Sequence, residues 1–269
     1  MTEPTAVWVY AVAEDDLAAD GNDLAGLTGV GGTPVRAVTA AGLAAITGNV
    51  PLADFDEAAL RRNLEDLDWL EVTARAHHQV IAAVARRGPV VPVRLATVYR
   101  DEAGVAAALG EHQEDFRAAL DRLGRRREWG VKVYAAAPPA AGDGPQPAPA
   151  HGGNRASGPG AAYLQRRRRD LAARDQARQD AAASAELIHA RLADLAAGTS
   201  LHPPQSPQLA GGRAQMILNA AYLLDQQRDD EFAAAVGALA ERHPAVRLEL
   251  TGPWPPYSFT SEPVPLARS

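Results

Sequence analysis

The chain has no cysteine among its 269 residues, so disulfides and thiolate metal sites are excluded. It has one lysine, Lys132; every other basic residue is arginine. A Walker A loop needs a Gly-Lys pair before Ser or Thr, and Lys132 follows Val131, so that phosphate cradle is missing. The glycines Gly29, Gly31 and Gly32 lack the third glycine of a dinucleotide fingerprint and run into Pro34 rather than a helix. There is no G-x-S-x-G elbow. Long apolar runs are also lacking. The first, VWVYAVA at 7–13, ends at Glu14, too short for a signal peptide or a membrane span, and no other stretch approaches 18 uncharged apolar residues. The net charge of −6 offers no bulk attraction to nucleic acid or anionic lipid. The expectation is a soluble, cytoplasmic protein with no membrane and no nucleic-acid partner.

Seven histidines invite a search for metal ligands, but none precedes a glutamate and none is three or four residues from another on a helical stretch. His77 and His78 are adjacent, and neighbours on a helix point about 100° apart. His77 falls on an apolar stripe and reads as a hydrogen-bonded core residue, with His78 at the stripe's margin. The acidic residues of 54–71 read as a solvated helix face. The arginine runs 125–127 and 166–169 have few aromatics nearby, and aspartates follow the second run. They read as solvated helix faces, with a protein-binding patch as the next reading. No catalytic, metal-binding or cofactor-binding residue is assigned, and no enzyme activity is expected.

Apolar periodicity organises the rest. Residues 7–13 read as a strand buried on both faces, and 35–48 as one or two strands around Gly42. Residues 54–87 read as one helix with Asp54 and Glu57 as a capping box and Leu60, Leu64, Leu67, Leu70, Ala74, His77, Ile81 and Val84 on one face. A strand at 90–99 with Pro92 at an edge or bulge, a helix at 101–123 and a strand at 129–135 follow. Residues 136–160, dense in Pro, Gly and Ala, read as a mobile linker. A long Arg/Ala/Asp helix spans 161–197, then come a strand at 216–225, a helix at 229–242 and a strand at 245–252. The final residues carry too many prolines for helix and read as extended. The domains expected are 1–135 and 161–252, both α+β, with the linker between them and a tail at 253–269. DFRAALDRLGRR (115–126) and EFAAAVGALAER (231–242) resemble each other and each precedes a strand, which fits either an internal duplication or shared amphipathic patterning.

Three segments together carry a family resemblance: WLEVTARAHHQVI running into PVVPVRLATVY (69–99), EWGVKVY (128–134), and LNAAYLLD (218–225) followed by LTGPWPPYSF (250–259). In this order and spacing the chain resembles the gas vesicle proteins of the GvpF/GvpL family from Val7 to Phe259. Ala96 departs from the pattern, standing where a glycine is usual. The resemblance implies a two-domain α+β fold whose C-terminal domain is a ferredoxin-like variant. It also implies a non-enzymatic accessory or minor structural protein at the gas vesicle. Its partners would be the hydrophobic shell protein, whose aggregation it limits during nucleation, and other gas vesicle accessory proteins. The residues it nominates for interaction are Arg94, Lys132, Asn219, Tyr222, Trp254, Pro255, Pro256, Tyr257 and Phe259. The aromatic tail either reaches a partner or folds back as a clasp on its own protein. The competing function is a small-molecule-binding regulatory module on the same scaffold.

Overall fold

The structure is a computed structural model that describes residues 4–19, 24, 26–136, 159–204 and 215–260. The expected linker lies outside the described residues except at its two ends. The chain divides into two compact units, residues 1–128 with 253–269, and residues 129–252.

The first unit is built around β1 (Thr5–Glu14), in which every residue from Ala6 to Ala13 is buried. It is apolar without alternation because strands flank it on both sides and side chains pack on both faces. On one side, after the short helix α1 (Asp16–Ala19), lie β2 (Val35–Ala40) and β3 (Leu43–Pro51), the hairpin expected around Gly42. Its turn residues Ala41 and Gly42 both have positive φ, 54° and 73°, as the twist of a two-residue hairpin requires. The antiparallel register of β1 on β3 slips between Val9 and Ala11, leaving Tyr10 as an extra residue. That bulge shifts side-chain parity. Ala6, Trp8 and Tyr10 before it, and Ala11 and Ala13 after it, all join one core.

On β1's other side the strand expected at 90–99 is two short pieces, β4 (Val91–Pro92) and β5 (Val98–Tyr99). The ladder continues around the gap, Val93 N–H donating to the Tyr10 carbonyl at 2.9 Å and Val9 N–H to the Thr97 carbonyl at 3.0 Å. Between them Arg94 to Ala96 leave the ladder. Pro92 has no N–H to offer it, and Ala96 sits at φ 64°, which no strand residue adopts.

The single helix expected at 54–87 is three: α2 (Leu52–Phe55), α3 (Glu57–Asn63) and α4 (Leu67–Ala85). Two aspartates cut it. Asp56 takes the Ala59 N–H at 2.7 Å, and Asp66 takes those of Asp68 and Trp69 at 3.0 and 3.2 Å. Each starts a new helix as its N-cap, and the Asp54–Glu57 box is not the start. The apolar stripe holds only over α4, which buries Thr73, His77, Val80, Ile81 and Val84. Leu64 and Leu67 fall at the break and are exposed, 40% and 77%. The helix expected at 101–123 is likewise two, α5 (Glu102–Glu111) capped by Asp101 and α6 (Gln113–Leu123), parted at His112.

The second unit runs β6 (Arg126–Ala135), α7 (Pro159–Ala193), β7 (Gly198–Leu201), β8 (Met216–Asp225), α8 (Asp229–Arg242) and β9 (Val246–Trp254). The sheet order is β7-β8-β6-β9. β6, expected to close the first domain, is an interior strand of this sheet. β7 was not foreseen: Gly-Thr-Ser-Leu carries little strand signal and pairs only because it lies antiparallel to β8. The core joins Val131 and Val133 of β6, Ala185, Ile188 and Leu192 of α7, and Tyr222, Leu224, Phe232 and Val236. The two helix-then-strand segments that resemble each other lead into the neighbouring strands β6 and β9, with Phe116 and Phe232 both buried. Among the described residues no helix is long and apolar enough to cross a membrane.

Candidate functional site

The tail segment GPWPPYSF begins at Gly252, within the last residues of β9 and with a positive φ of 121°. Pro253 and Trp254 are exposed, Pro255 and Pro256 are buried, and Tyr257–Phe259 form a single 3-10 turn. Prolines at these places hold the backbone extended at little entropic cost.

Every anchor of this segment lies in the first unit. Tyr257 packs against the core around β1. Its hydroxyl is 2.9 Å from His78 Nδ1. Burial and the charge of Glu128 hold the phenol's pKa well above its ordinary value, while burial lowers that of His78. The phenol therefore keeps its proton and donates to the neutral imidazole. His78 also meets the Trp254 ring edge-on, centroids 5.3 Å apart at 71°. Ser258 presents both its N–H and its hydroxyl to the carboxylate of Glu128, each at 2.7 Å. Arg122 donates to the Phe259 carbonyl at 3.0 Å. Glu128 is only 8% exposed, so its charge is held by these donors rather than by water.

His77 belongs to the same helix but to different chemistry. Its Nδ1 accepts the indole N–H of Trp8 at 2.9 Å, and its Nε2–H donates to the Val93 carbonyl at 3.1 Å. Burial pushes its pKa down to about 4, against the smaller opposing effect of the Val93 carbonyl. It is a neutral core histidine, as its place on the apolar stripe implied, and it ties α4 to β1 and to the bulged excursion beyond β4. Among the described residues no three His, Asp or Glu side chains converge as metal ligands would.

The nominated residues divide between the two units. Trp254 to Phe259 form the folded-back tail, and Arg94 is exposed on the excursion at Arg94–Ala96. In the second unit Lys132 is half-buried on β6, and Asn219 Nδ2 lies 3.4 Å from the Pro203 carbonyl. Tyr222 is fully buried, its hydroxyl 2.8 Å from His189 Nδ1, and presents no surface. Trp254, by contrast, keeps 42% of its surface in solvent. Sequence reasoning passed over Glu128, Arg122, His78 and Ser258 as a set. Glu128 and Ser258 lie inside the quoted family segments, but nothing in their spacing says that they meet across 130 residues.

The family model described as gas vesicle synthesis protein GvpL/GvpF matches residues 6–261. Gas vesicle protein L of Streptomyces sp. (strain CB03234) is 44% identical over 252 residues, covering 94% of this chain and 91% of that protein. Gas vesicle protein F of the same organism is 28% identical over 234 residues, covering 84% and 87%. The crystal structure of the gas vesicle protein GvpF from Anabaena sp. PCC7120 superposes with a TM-score of 0.62 at 15% identity, over 96% of each chain. That from Microcystis aeruginosa gives 0.60, over 95% of this chain and 99% of that one. At this identity the structures speak to the fold, a mixed helix and sheet architecture, whereas the sequence match spans nearly the whole chain. The chain therefore belongs to the GvpL/GvpF family of gas vesicle synthesis proteins.

Proposed function

We propose that the protein is a non-enzymatic, cytoplasmic assembly factor of the gas vesicle. It binds the hydrophobic shell protein through apolar surface and limits its aggregation during nucleation. Membership of a gas vesicle synthesis family supports the general role. The observation that carries the specific reading is Trp254. A large aromatic ring is ordinarily buried, and here it stands 42% exposed on a segment whose other end is pinned by Tyr257 and Ser258. A rigid, half-covered indole is a low-entropy anchor for an apolar partner. β9, last in its sheet among the described residues, offers a second surface suited to a strand of a shell subunit.

The tail thus serves both readings of the sequence: a clasp through Tyr257, Ser258 and Phe259, and a contact through Trp254. The element order β6-α7-β7-β8-α8-β9 with sheet order β7-β8-β6-β9 supports reading the second unit as a ferredoxin-like variant.

The test is co-expression with a gas vesicle shell protein. Wild-type protein should keep shell protein in the soluble fraction and co-purify with it. Trp254→Ser should lose most of that effect at a modest cost in thermal stability, because the ring packs on His78 but is already 42% exposed. No association with shell protein, and no change in its solubility, would overturn the reading.

A further inference from the structure

Helix α7 is packed at one end only. Its C-terminal half supplies Ala181, Ala185, Ile188 and Leu192 to the second core, spaced alternately by four and three residues. The same series runs backwards without a break through Arg178, Arg174, Leu171, Arg167 and Leu164. Yet every residue from Tyr163 to Asp180 is exposed. The 18-residue stretch makes an arm of about 27 Å whose seam, a heptad continuation of a buried stripe, is uncovered. A helix bare on all sides has only local pairs to hold it, such as Arg178–Asp175 at 3.8 Å and Gln176–Asp180 at 2.9 Å.

Charge selects the occupant. The arm holds six arginines against three aspartates, in a chain whose net charge is −6. Three of those arginines stand on the seam, so two arms laid together would place like charges face to face. The opposite character occurs in the first unit, at the corner where α3 gives way to α4. There Leu64, Leu67 and Val72 are exposed, the last two 77% and 69%, and Glu65, Asp66 and Asp68 stand exposed among them, with Glu71 alongside, ion-paired to Arg75. Leucines flanked by arginines on one surface match leucines and a valine flanked by carboxylates on the other.

We infer that the arm of one molecule docks on the α3–α4 corner of a second copy of this chain. The contact is heterologous, arm to corner, so each molecule offers one donor surface and one acceptor surface and chains can grow from it. The inference is independent of shell-protein binding.

Sedimentation velocity of the full chain tests it. Association should rise with protein concentration over roughly 1–100 μM at ~50 mM NaCl and weaken at ~500 mM, because the paired charges are screened. Two surface variants, Arg167→Ser/Arg174→Ser/Arg178→Ser and Leu67→Ser/Val72→Ser, should each raise the apparent Kd about tenfold or more. Far-UV circular dichroism confirms that each variant is folded. Mixed together, the two variants should form a heterodimer, since the mixture restores one intact arm and one intact corner. A protein that stays monomeric over this range, or self-association that neither variant weakens, overturns the inference.

Discussion

The indole N–H of Trp8 donates to Nδ1 of His77 at 2.9 Å, joining the first strand of the chain to a helix 69 residues later. The bond holds only while that nitrogen is unprotonated. With Nε2–H committed to the Val93 carbonyl, both ring nitrogens are used by the neutral form.

Stability should therefore fall as the medium is acidified. The folded-state pKa of His77 lies near 4, below the ordinary 6.5, so the unfolded chain takes up the proton first. The contribution is complete above pH 6.5 and is lost as pH falls toward 4. Between pH 7 and pH 5 the loss should be about 2 kcal/mol. Urea unfolding at the two pH values measures it. His77→Gln, whose amide can accept from Trp8 and donate to Val93, should flatten the fall. It should not abolish it, since burial lowers the pKa of His78 in the same direction.

Two alanines at positive φ are sites for stabilisation. Ala96 at 64° and Ala41 at 54° occupy backbone conformations that favour glycine or asparagine. Ala96→Gly and Ala41→Asn should each add about 0.5–1 kcal/mol. At position 41 the gain leaves the carbonyl that Gln113 and Arg117 bind untouched. Differential scanning calorimetry should show the two increments to be additive, and a loss of stability at either would mean that the loop conformation is otherwise.

Gly29 should tolerate no side chain. A Cβ there would lie 2.1 Å from the Tyr10 hydroxyl and 2.8 Å from Cζ. Tyr10 is fully buried and its hydroxyl accepts the Val30 N–H, so it cannot simply swing away. Gly29→Ala is expected to cost about 2–4 kcal/mol. In the Tyr10→Phe background the penalty should shrink, because the closest clash is gone, and a double-mutant cycle on denaturation midpoints reads that coupling.

Glu128 should govern whether the tail stays down. Glu128→Ala removes the acceptor of two short bonds from Ser258, at a cost of about 2–4 kcal/mol to the folded-back state. Ser258→Ala should cost about 1 kcal/mol, because the N–H bond survives. Faster proteolytic cleavage after Tyr257, with Trp254 fluorescence shifted to the red, marks release. Unchanged cleavage in Glu128→Ala would show that the tail is held by its other contacts, Tyr257 with His78 and Phe259 with Arg122, and not by Glu128.

Much of this architecture was legible because it rests on local rules. β8 and α8 fall where periodicity put them, since both bury a full face. The long helix at 54–87 was misread because apolar spacing continues across Asp56 and Asp66, and spacing does not say whether an aspartate caps or merely decorates. The strand at 90–99 was misread because its pairing is broken by one alanine with a positive φ, and alanine gives no warning of that. β7 was missed for the opposite reason: its partner strand, not its residues, makes it a strand.

Sequence alone determined the absence of thiol chemistry and of the phosphate-binding and nucleophile motifs, together with the core position of His77 and the family resemblance. All of these depend on residue identity or on spacing within one element. Only the tertiary structure decided that Ser258 meets Glu128, that the bulge at Tyr10 turns both halves of β1 into one core, and that Leu67 and half of α7 face water. Those are contacts between residues far apart in the chain, and no local energy term records them until the fold has brought them together.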